Sequence, residues 1–121
     1  MINTKKIYNT LLNDETLTTV VSNIFSAYPT AVETFPCIIF LDDNQRDREF
    51  SDNAPNASEC SVQIHIFSKK ISEYVSTAEV AVLVADIMHG DLWTCEQNGE
   101  VPDPDDEIEH RIMRFTKSIY Y

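Results

Sequence analysis

The stretch SVQIHIFSKK, residues 61–70, constrains the fold more than any other part of the chain. Val62, Ile64 and Ile66 alternate with polar residues, and Phe67 completes the second row of side chains. Successive side chains of a strand point to opposite faces of its sheet, so this period of two predicts a strand with one buried face. The domain must therefore contain a sheet that other elements cover on one side.

Two main helices are predicted to supply that cover. The first lies near the N-terminus, where apolar residues recur on one face of a 3.6-residue period: Ile7, Tyr8, Leu11 and Leu12. A short second helical turn is predicted to start at Asp14 or Thr16. The second main helix is predicted from Ser72, as its cap, to His89, with Gly90 in the left-handed position after its end.

The remaining strands are predicted from shorter patterns. The apolar run CIIFLDD, residues 37–43, indicates a buried strand, whereas the polar segment Asp42–Ser58, interrupted by Pro55, is predicted to be a long loop. After the long helix, residues 91–97 alternate as in a strand, and Asn98-Gly99 is typical of a turn. Because Pro102 and Pro104 cannot donate to a sheet ladder, the return strand is predicted to start near Glu107.

These elements predict an α+β fold in a single domain over residues 1–121. The expected architecture is an antiparallel sheet of about four to five strands with two main helices packed on one face. The element order is α-β-β-β-α-β-β. A chain of 121 residues with 43% hydrophobic residues has enough apolar material for one core.

The formal charge of −11 restricts the partners of the protein. A negative field repels phosphate backbones, which argues against a conventional nucleic-acid-binding protein but not against one that DNA passes without binding. Two stretches carry most of the excess: residues 41–52, where Arg46 and Arg48 partly offset the carboxylates, and residues 95–109, which contain no basic residue.

Cysteine spacing and hydropathy argue against several other classes of protein. Cys37, Cys60 and Cys95 lie far apart and form no C-x-x-C pair, so neither a disulfide framework nor a zinc ribbon is expected. Residues 1–14 lack the apolar stretch of a signal peptide, and the longest apolar run, residues 80–85, is too short to span a bilayer. We expect a protein of the reducing cytoplasm without a membrane segment.

No pattern in the sequence supports catalysis, a cofactor or a metal. His65 is either a ligand or base in a site, or a strand residue without chemistry at a solvent-facing or rim position. The second interpretation is preferred, because the sequence shows no convergent partners for His65. His110 is interpreted as an exposed partner of its charged neighbours. Residues 103–109, DPDDEIE, lack the ligand spacing and central glycine of a calcium loop, which favours a solvated acidic hairpin tip.

Six segments in a fixed order point to a known family. They are KIYNTLL, IFSAYP, TFPCIIFLDD, CSVQIHIFSKK, STAEVAVLVADIMHG and the terminal DPDDEIEHRIMRFTKSIYY. Together they resemble the tail completion or head–tail joining proteins, also described as tail terminator-like, of long-tailed bacteriophages and prophages. The resemblance covers nearly the whole chain, although the acidic segment Val101–Glu109 is longer and more charged than in many relatives.

The resemblance implies a structural virion protein and no catalysis. The resemblance implies that the protein assembles into a six-fold ring at the head-proximal end of the tail. There it would cap the tail tube and join it to the head connector. The implied partners are copies of the chain itself, the tail tube protein, connector or adaptor proteins and passing DNA, with no membrane. The implied location is the virion, at the head–tail interface, and the host cytoplasm during assembly.

Exposed sheet edges and two polar segments are the expected interface. From the predicted loops Asp42–Ser58 and Gly99–Glu107, the candidate contact residues are Asp42, Asp43, Arg46, Arg48, Phe50, Gly99, Asp103, Asp105 and Asp106. Phe50 is a candidate anchor in a neighbouring subunit, with packing on its own sheet as an equal alternative. A different class of function also stays open: a small acidic binding module, such as a DNA-mimicking inhibitor or a regulator.

Overall fold

The computed structural model describes residues 4–27, 29, 34–51 and 54–120, with side chains described for residues 5–27, 29, 34–42 and 59–118. Its helices and strands follow the order α-α-β-β-β-α-β-β, which confirms the α+β class and the predicted order apart from one added short helix. The elements are α1 (Thr4–Asn13), α2 (Glu15–Val20), β1 (Asn23–Phe25), β2 (Cys37–Ser51), β3 (Ala54–Lys69), α3 (Thr77–Gly90), β4 (Thr94–Val101) and β5 (Ile108–Tyr120).

The five strands form one sheet in the order β1-β2-β3-β5-β4. All neighbours are antiparallel except β1, which pairs in parallel with β2 through Asn23↔Cys37 to Phe25↔Ile39. The sheet is therefore mixed, where the sequence predicted an antiparallel one. The parallel pair arises because the connection between β1 and β2 carries the chain back to the end of the sheet at which β1 begins.

The predicted loop Asp42–Ser58 is wrong, because these residues belong to two long strands. β2 and β3 pair from Cys37↔Phe67 to Ser51↔Ala54, with a register shift between Asp42 and Asn44. Proline lacks the amide hydrogen needed by a sheet ladder, and Pro55 lies next to the start of β3, where that loss is tolerated. The segment is polar on both sides, so it carries no hydrophobic alternation that would have indicated a strand.

All three helices contribute to a core on one face of the sheet. The buried apolar helix residues are Ile7, Leu11, Leu17, Val80, Ala81, Val84 and Met88, and they pack with Ile38, Phe40, Cys60, Val62, Ile64, Ile66, Met113 and Phe115 of the strands. The predicted buried row of β3 is thereby confirmed. Fully burying a side chain of this size contributes about 1.5–3 kcal/mol, so this helix-side core dominates the stability of the fold.

A smaller apolar cluster lies on the opposite face of the sheet. Cys37, Ile39 and Phe67 are buried there, and Phe35 and Ile108 pack against them. Both faces of the sheet are therefore apolar near the end where β2 begins and β3 ends.

The ends of α3 differ from the prediction. The helix starts at Thr77, and its cap is Ser76, whose side chain accepts a hydrogen bond from the Glu79 amide at 3.2 Å. At the other end Gly90 is the last helical residue, and the positive φ of 67° falls on Leu92. The chain reverses two residues later than the glycine suggested, because the amides of Leu92 and Trp93 bond back to carbonyls of the last helical turn.

Candidate assembly surface

The strand pairing extends beyond the described part of the helix-side core. Among the described side chains, the last strand residues of that core are Phe40, Cys60 and Phe115, and β2 and β3 continue to Ser51 and back from Ala54. We call residues 42–51 and 54–59 the hairpin arm. It holds five of the candidate contact residues: Asp42, Asp43, Arg46, Arg48 and Phe50. Of these, the side chain of Asp42 is described and is exposed, and the other four lie outside the described side chains.

One edge of the hairpin arm is open along most of its length. β1 pairs with β2 over Cys37–Ile39 alone. From Asp42 to Ser51, β3 is the one strand that pairs with β2 in the described part of the chain. The backbone amides and carbonyls along such an edge are a template for another strand.

The other acidic candidates lie in the loop between β4 and β5. The Asp103 side chain accepts a hydrogen bond from the Asp105 amide, and the Asp105 side chain accepts one from the Glu107 amide, both at 2.9 Å. Asp105 and Asp106 are exposed. This acidic loop, residues 102–107, matches the predicted hairpin tip between two strands.

The predicted turn at Asn98-Gly99 and the loop Gly99–Glu107 are wrong in their first part. Asn98 and Gly99 lie within β4, opposite Met113 and Ile112 of β5. The strand passes through the glycine because the chain reverses later, in the segment that contains both prolines. Gly99 is therefore a residue of the β4 edge.

Eight of the nine candidate residues fall into two patches, the hairpin arm and the acidic loop, and Gly99 lies between them on β4. The hairpin arm ends at the pair Ser51↔Ala54, whereas the acidic loop adjoins the pair Lys69↔Ile108. β3 runs 16 residues between these ends, which is roughly 50 Å at about 3.3 Å per residue. Within one subunit, the hairpin arm and the acidic loop therefore do not form a single binding site.

The terminal segment that contains His110, Arg111, Arg114 and Phe115 ties the elements together. Glu109 accepts hydrogen bonds from both the amide and the hydroxyl of Thr77 at 2.6 Å, which places a carboxylate at the start of α3. Arg111 donates to the hydroxyl of Thr77 at 3.3 Å and to the side chain of Asn98 at 2.9 Å. Side chains of β5 therefore fix the position of α3 and of β4.

His65 and His110 form a pair on the face of the sheet opposite the helices. Their Nδ1 and Nε2 atoms lie 3.0 Å apart, and the His110 ring stacks on Phe67 with centroids 4.2 Å apart. His65 is 6% exposed, so the expectation of a solvent-facing or rim position is wrong, although its place on a strand is confirmed. The two residues are 45 positions apart, and the register between β3 and β5 brings them together, which no local pattern could have indicated.

Burial lowers the pKa of both histidines. For His65 the second cause is the neighbouring His110, whereas the carboxylate of Asp103 partly opposes the lowering of the His110 pKa. A pair of imidazoles at hydrogen-bond distance shares one proton between its facing nitrogens when both rings are neutral. The arrangement is therefore a neutral structural pair at pH 7.

Two of the three cysteine thiols in the sheet, those of Cys37 and Cys60, are buried rather than reactive. Burial raises the pKa of Cys37 to about 11, and burial together with the charge of Asp42 raises that of Cys60 to about 11. Thiolates are the reactive form of cysteine, so both side chains stay protonated at neutral pH. Cys95 is partly exposed on β4.

The described residues show neither a metal-binding cluster nor a membrane-spanning helix. Those residues contain no group of three or more histidine, cysteine or acidic side chains placed to hold a metal ion. The helices in the same ranges are all too short or too polar to cross a membrane.

A family model matches nearly the whole chain. A search of curated proteins found no relative of this chain. The model of the family described as "Tail completion protein gp17" matches residues 5–120, which include every helix and strand of the sheet except the first residue of α1. The ordered motifs, the fold and this match agree, and the chain belongs to the tail completion protein gp17 family of phage tail structural proteins.

Proposed function

We propose that this protein forms a ring at the head-proximal end of the phage tail, where it caps the tail tube and joins it to the head connector. The family match over residues 5–120 carries the proposal, since it identifies a structural component of the phage tail. The proposed partners are further copies of the chain, the tail tube protein and the connector or adaptor proteins of the head.

The separation of the two patches supports a joining role. A joining protein needs two surfaces that face in opposite directions, one for the tail and one for the head. The hairpin arm and the acidic loop lie at opposite ends of the sheet, so each end offers one such surface. Asp42, Asp43, Arg46, Arg48 and Phe50 belong to the first surface; Gly99, Asp103, Asp105 and Asp106 lie on or near the second.

The charge suits a ring through which DNA passes. With −11 per chain, several copies would create a strongly negative field. Carboxylates that line the channel would repel DNA phosphates and keep the genome from adhering during transit. The same carboxylates also keep the free protein soluble before it docks, and both roles are compatible with the proposal.

Phe50 is the proposed anchor of the hairpin arm in a neighbouring subunit, since an aromatic side chain in a polar segment offers a large apolar contact. The variant Phe50→Ala is expected to lower the yield of joined particles at least tenfold. Val82→Ala is the matched control, because Val82 is an exposed apolar residue on the outer side of α3. Joining at the normal yield in Phe50→Ala would show that Phe50 is not an anchor.

Loss of the protein tests the function directly. A phage or prophage in which the gene carries an early stop codon is expected to produce DNA-filled heads and separate tails of irregular length, as seen by negative-stain electron microscopy. Supplying the intact chain from a plasmid should restore complete particles. Complete particles in the absence of the chain would contradict the proposed function.

A small acidic binding module is the second candidate, favoured by the exposed carboxylates of the acidic loop. Such a protein would bind a basic partner with steep salt dependence, because screening weakens attraction between exposed charges. Capture of a host nucleic-acid-binding protein at about 50 mM salt, lost at about 500 mM, together with absence from virions, would favour this function.

A further inference from the structure

Two open strand edges lie on opposite sides of the same sheet. One is the stretch Asp42–Ser51 of β2, beyond the short partner β1, and the other is β4, Thr94–Val101, which pairs only with β5 in the described residues. They contain ten and eight residues, so each can hold a strand of ordinary length. Open edges of this length bind other strands unless they are protected.

We propose that β4 of one subunit adds to the open edge of β2 of the next subunit, so that the sheets join into one continuous sheet around the ring. This inference rests on the proposed ring and names the contact that closes it. The occupant of each edge is thus a second copy of this chain, bound through backbone hydrogen bonds.

Strand direction is compatible with this contact. β2 is antiparallel to β3, β3 to β5 and β5 to β4, so β4 runs opposite to β2 within one subunit. Neighbouring subunits of a ring are related by rotation about the ring axis. When the strands run along this axis or obliquely to it, the rotation keeps the up or down direction of each strand. β4 of one subunit then meets β2 of the next as an antiparallel pair, and the helices stay on the same side of the joined sheet.

Charge disfavours a contact between two copies of β4. β4 contains Glu96 and Glu100 and no basic residue, so two copies of β4 would bring only carboxylates together. The open stretch of β2 contains Arg46 and Arg48 among four carboxylates, so it is the edge of the two that offers any basic side chain. Like charges on paired strands destabilise a sheet, which makes β4 paired with β4 the least favourable arrangement.

The two edges lie at different heights along the strands, and this offset fits a closed sheet. β4 pairs with residues 110–116 of β5. The position of β2 along the same strand follows from the register across β3. Asp42 pairs with Val62, which pairs with Phe115, and Arg48 pairs with Ala57, which pairs with Tyr120. The midpoints differ by about five residues, or roughly 17 Å. Four strands occupy about 19 Å across the sheet. The resulting strand tilt is about 40°, within the range of about 35–45° for closed sheets.

Disulfide cross-linking within assembled particles tests the contact. All variants carry Cys95→Ser, and the buried Cys37 and Cys60 are retained. On β4 the probe is Asn98→Cys, and on β2 it is placed in turn at positions 45, 47 and 49. Positions 45 and 98 pair in register with Cys60 and Met113, which both belong to the helix-side core, so the probes lie on the same side of the joined sheet.

Mild oxidation followed by denaturing electrophoresis gives three distinguishable results. In a double variant every subunit carries both cysteines, one on β4 and one on β2. Each subunit can therefore be linked to both of its neighbours, and a ladder of linked chains is expected. A particle assembled from a mixture of Asn98→Cys and the matching β2 variant should give linked dimers and nothing larger. The matched controls Arg46→Cys and Arg48→Cys, each combined with Asn98→Cys, should link at least tenfold less, because alternate residues of a strand lie on opposite faces.

Other results would overturn the inference. Linked dimers of Asn98→Cys alone would show that β4 meets β4. Particles that contain the chain but give no link at positions 45, 47 or 49 would refute edge pairing and leave the proposed function intact. Absence of the wild-type chain from particles would instead refute the proposed function itself.

Hydrogen exchange of the wild-type chain provides a second measurement that needs no variant. Peptides covering 42–51 and 94–101 should exchange more slowly in particles than in the free protein, because outward amides become hydrogen-bonded. Unchanged exchange in both peptides would contradict the proposal even if every cysteine variant failed to assemble.

Discussion

At the scale of single residues, the paired histidines show how polar groups are buried on the face of the sheet opposite the helices. His65 is held between Gln63, whose side-chain oxygen lies 3.1 Å from its Nε2, and His110 on the neighbouring strand. Buried polar atoms cost free energy unless they are hydrogen-bonded, and these contacts satisfy both ring nitrogens of His65. The pair therefore supports the packing of β3 against β5.

The same pair predicts a loss of stability in mild acid. Since the pKa of each histidine is lowered in the folded state, the unfolded chain takes up protons at a higher pH, near its ordinary value of 6.5. Above pH 6.5 the neutral pair raises the free energy of unfolding, and this stabilisation is lost as the pH falls below 6.5. Urea titrations between pH 5 and 8 measure the effect.

Variants separate the pair from the many carboxylates of the chain. His65→Gln and His110→Gln should each flatten the decline of the unfolding free energy between pH 6.5 and 5, whereas the surface variant Val82→Ala should keep the wild-type slope. An equal slope in wild type and both histidine variants would contradict the proposed origin of the acid sensitivity.

Glu109 is expected to contribute more to stability than the exposed acidic residues near it. Glu109→Ala removes the acceptor of two hydrogen bonds and leaves the amide of the buried Thr77 without it, at a cost of roughly 1–3 kcal/mol. The exposed Glu107 is the matched control, and Glu107→Ala should change the unfolding free energy by less than about 0.5 kcal/mol. Equal effects in denaturant titrations would argue against the capping role of Glu109.

At the scale of elements, α3 joins the helix layer to the sheet through one buried row. Met88 is fully buried, so Met88→Ala should cost about 2–5 kcal/mol by leaving a cavity in the core. Val82 lies on the same helix but is 61% exposed, and Val82→Ala should change the unfolding free energy by less than about 0.5 kcal/mol. A similar melting temperature for the two variants would contradict the assignment of the buried side.

The sequence predicts the elements whose hydrophobic pattern is strong. The alternation of β3 specifies its buried side, and the structure confirms it. The pattern of α3 is apolar around most of the helix, so it predicts the helix but not its buried side: Val80, Val84 and Met88 are buried, whereas Val82 is 61% exposed. The predicted N-cap Ser72 lies four residues before the observed N-cap Ser76. Both serines are good caps, and the contact of Thr77 with Glu109 decides between them.

Pairing between distant segments is what the sequence could not specify. The sequence of the hairpin arm is polar at most positions and carries no hydrophobic alternation, so its strands are specified by their pairing with each other and with β5. The parallel pairing of β1 and the contact between His65 and His110 also arise from register across the sheet. The candidate residues themselves were chosen from charge and position, and their role in assembly stays a prediction.

At the scale of the whole molecule, the fold places two separate surfaces on one rigid sheet. Continuous hydrogen bonding along β3 connects the hairpin arm with the end next to the acidic loop. The two ends are thereby joined by one strand, without an intervening linker. This property suits a component that lies between the tail tube and the head.

The number of copies in the particle tests the central claim most directly. Quantitative mass spectrometry of purified virions, with the portal protein as internal reference, would measure copies of this chain per head–tail junction. A low and fixed number near six is the result expected for a single ring at the junction. Complete absence from well-formed particles, or a number that varies with tail length, would contradict the account.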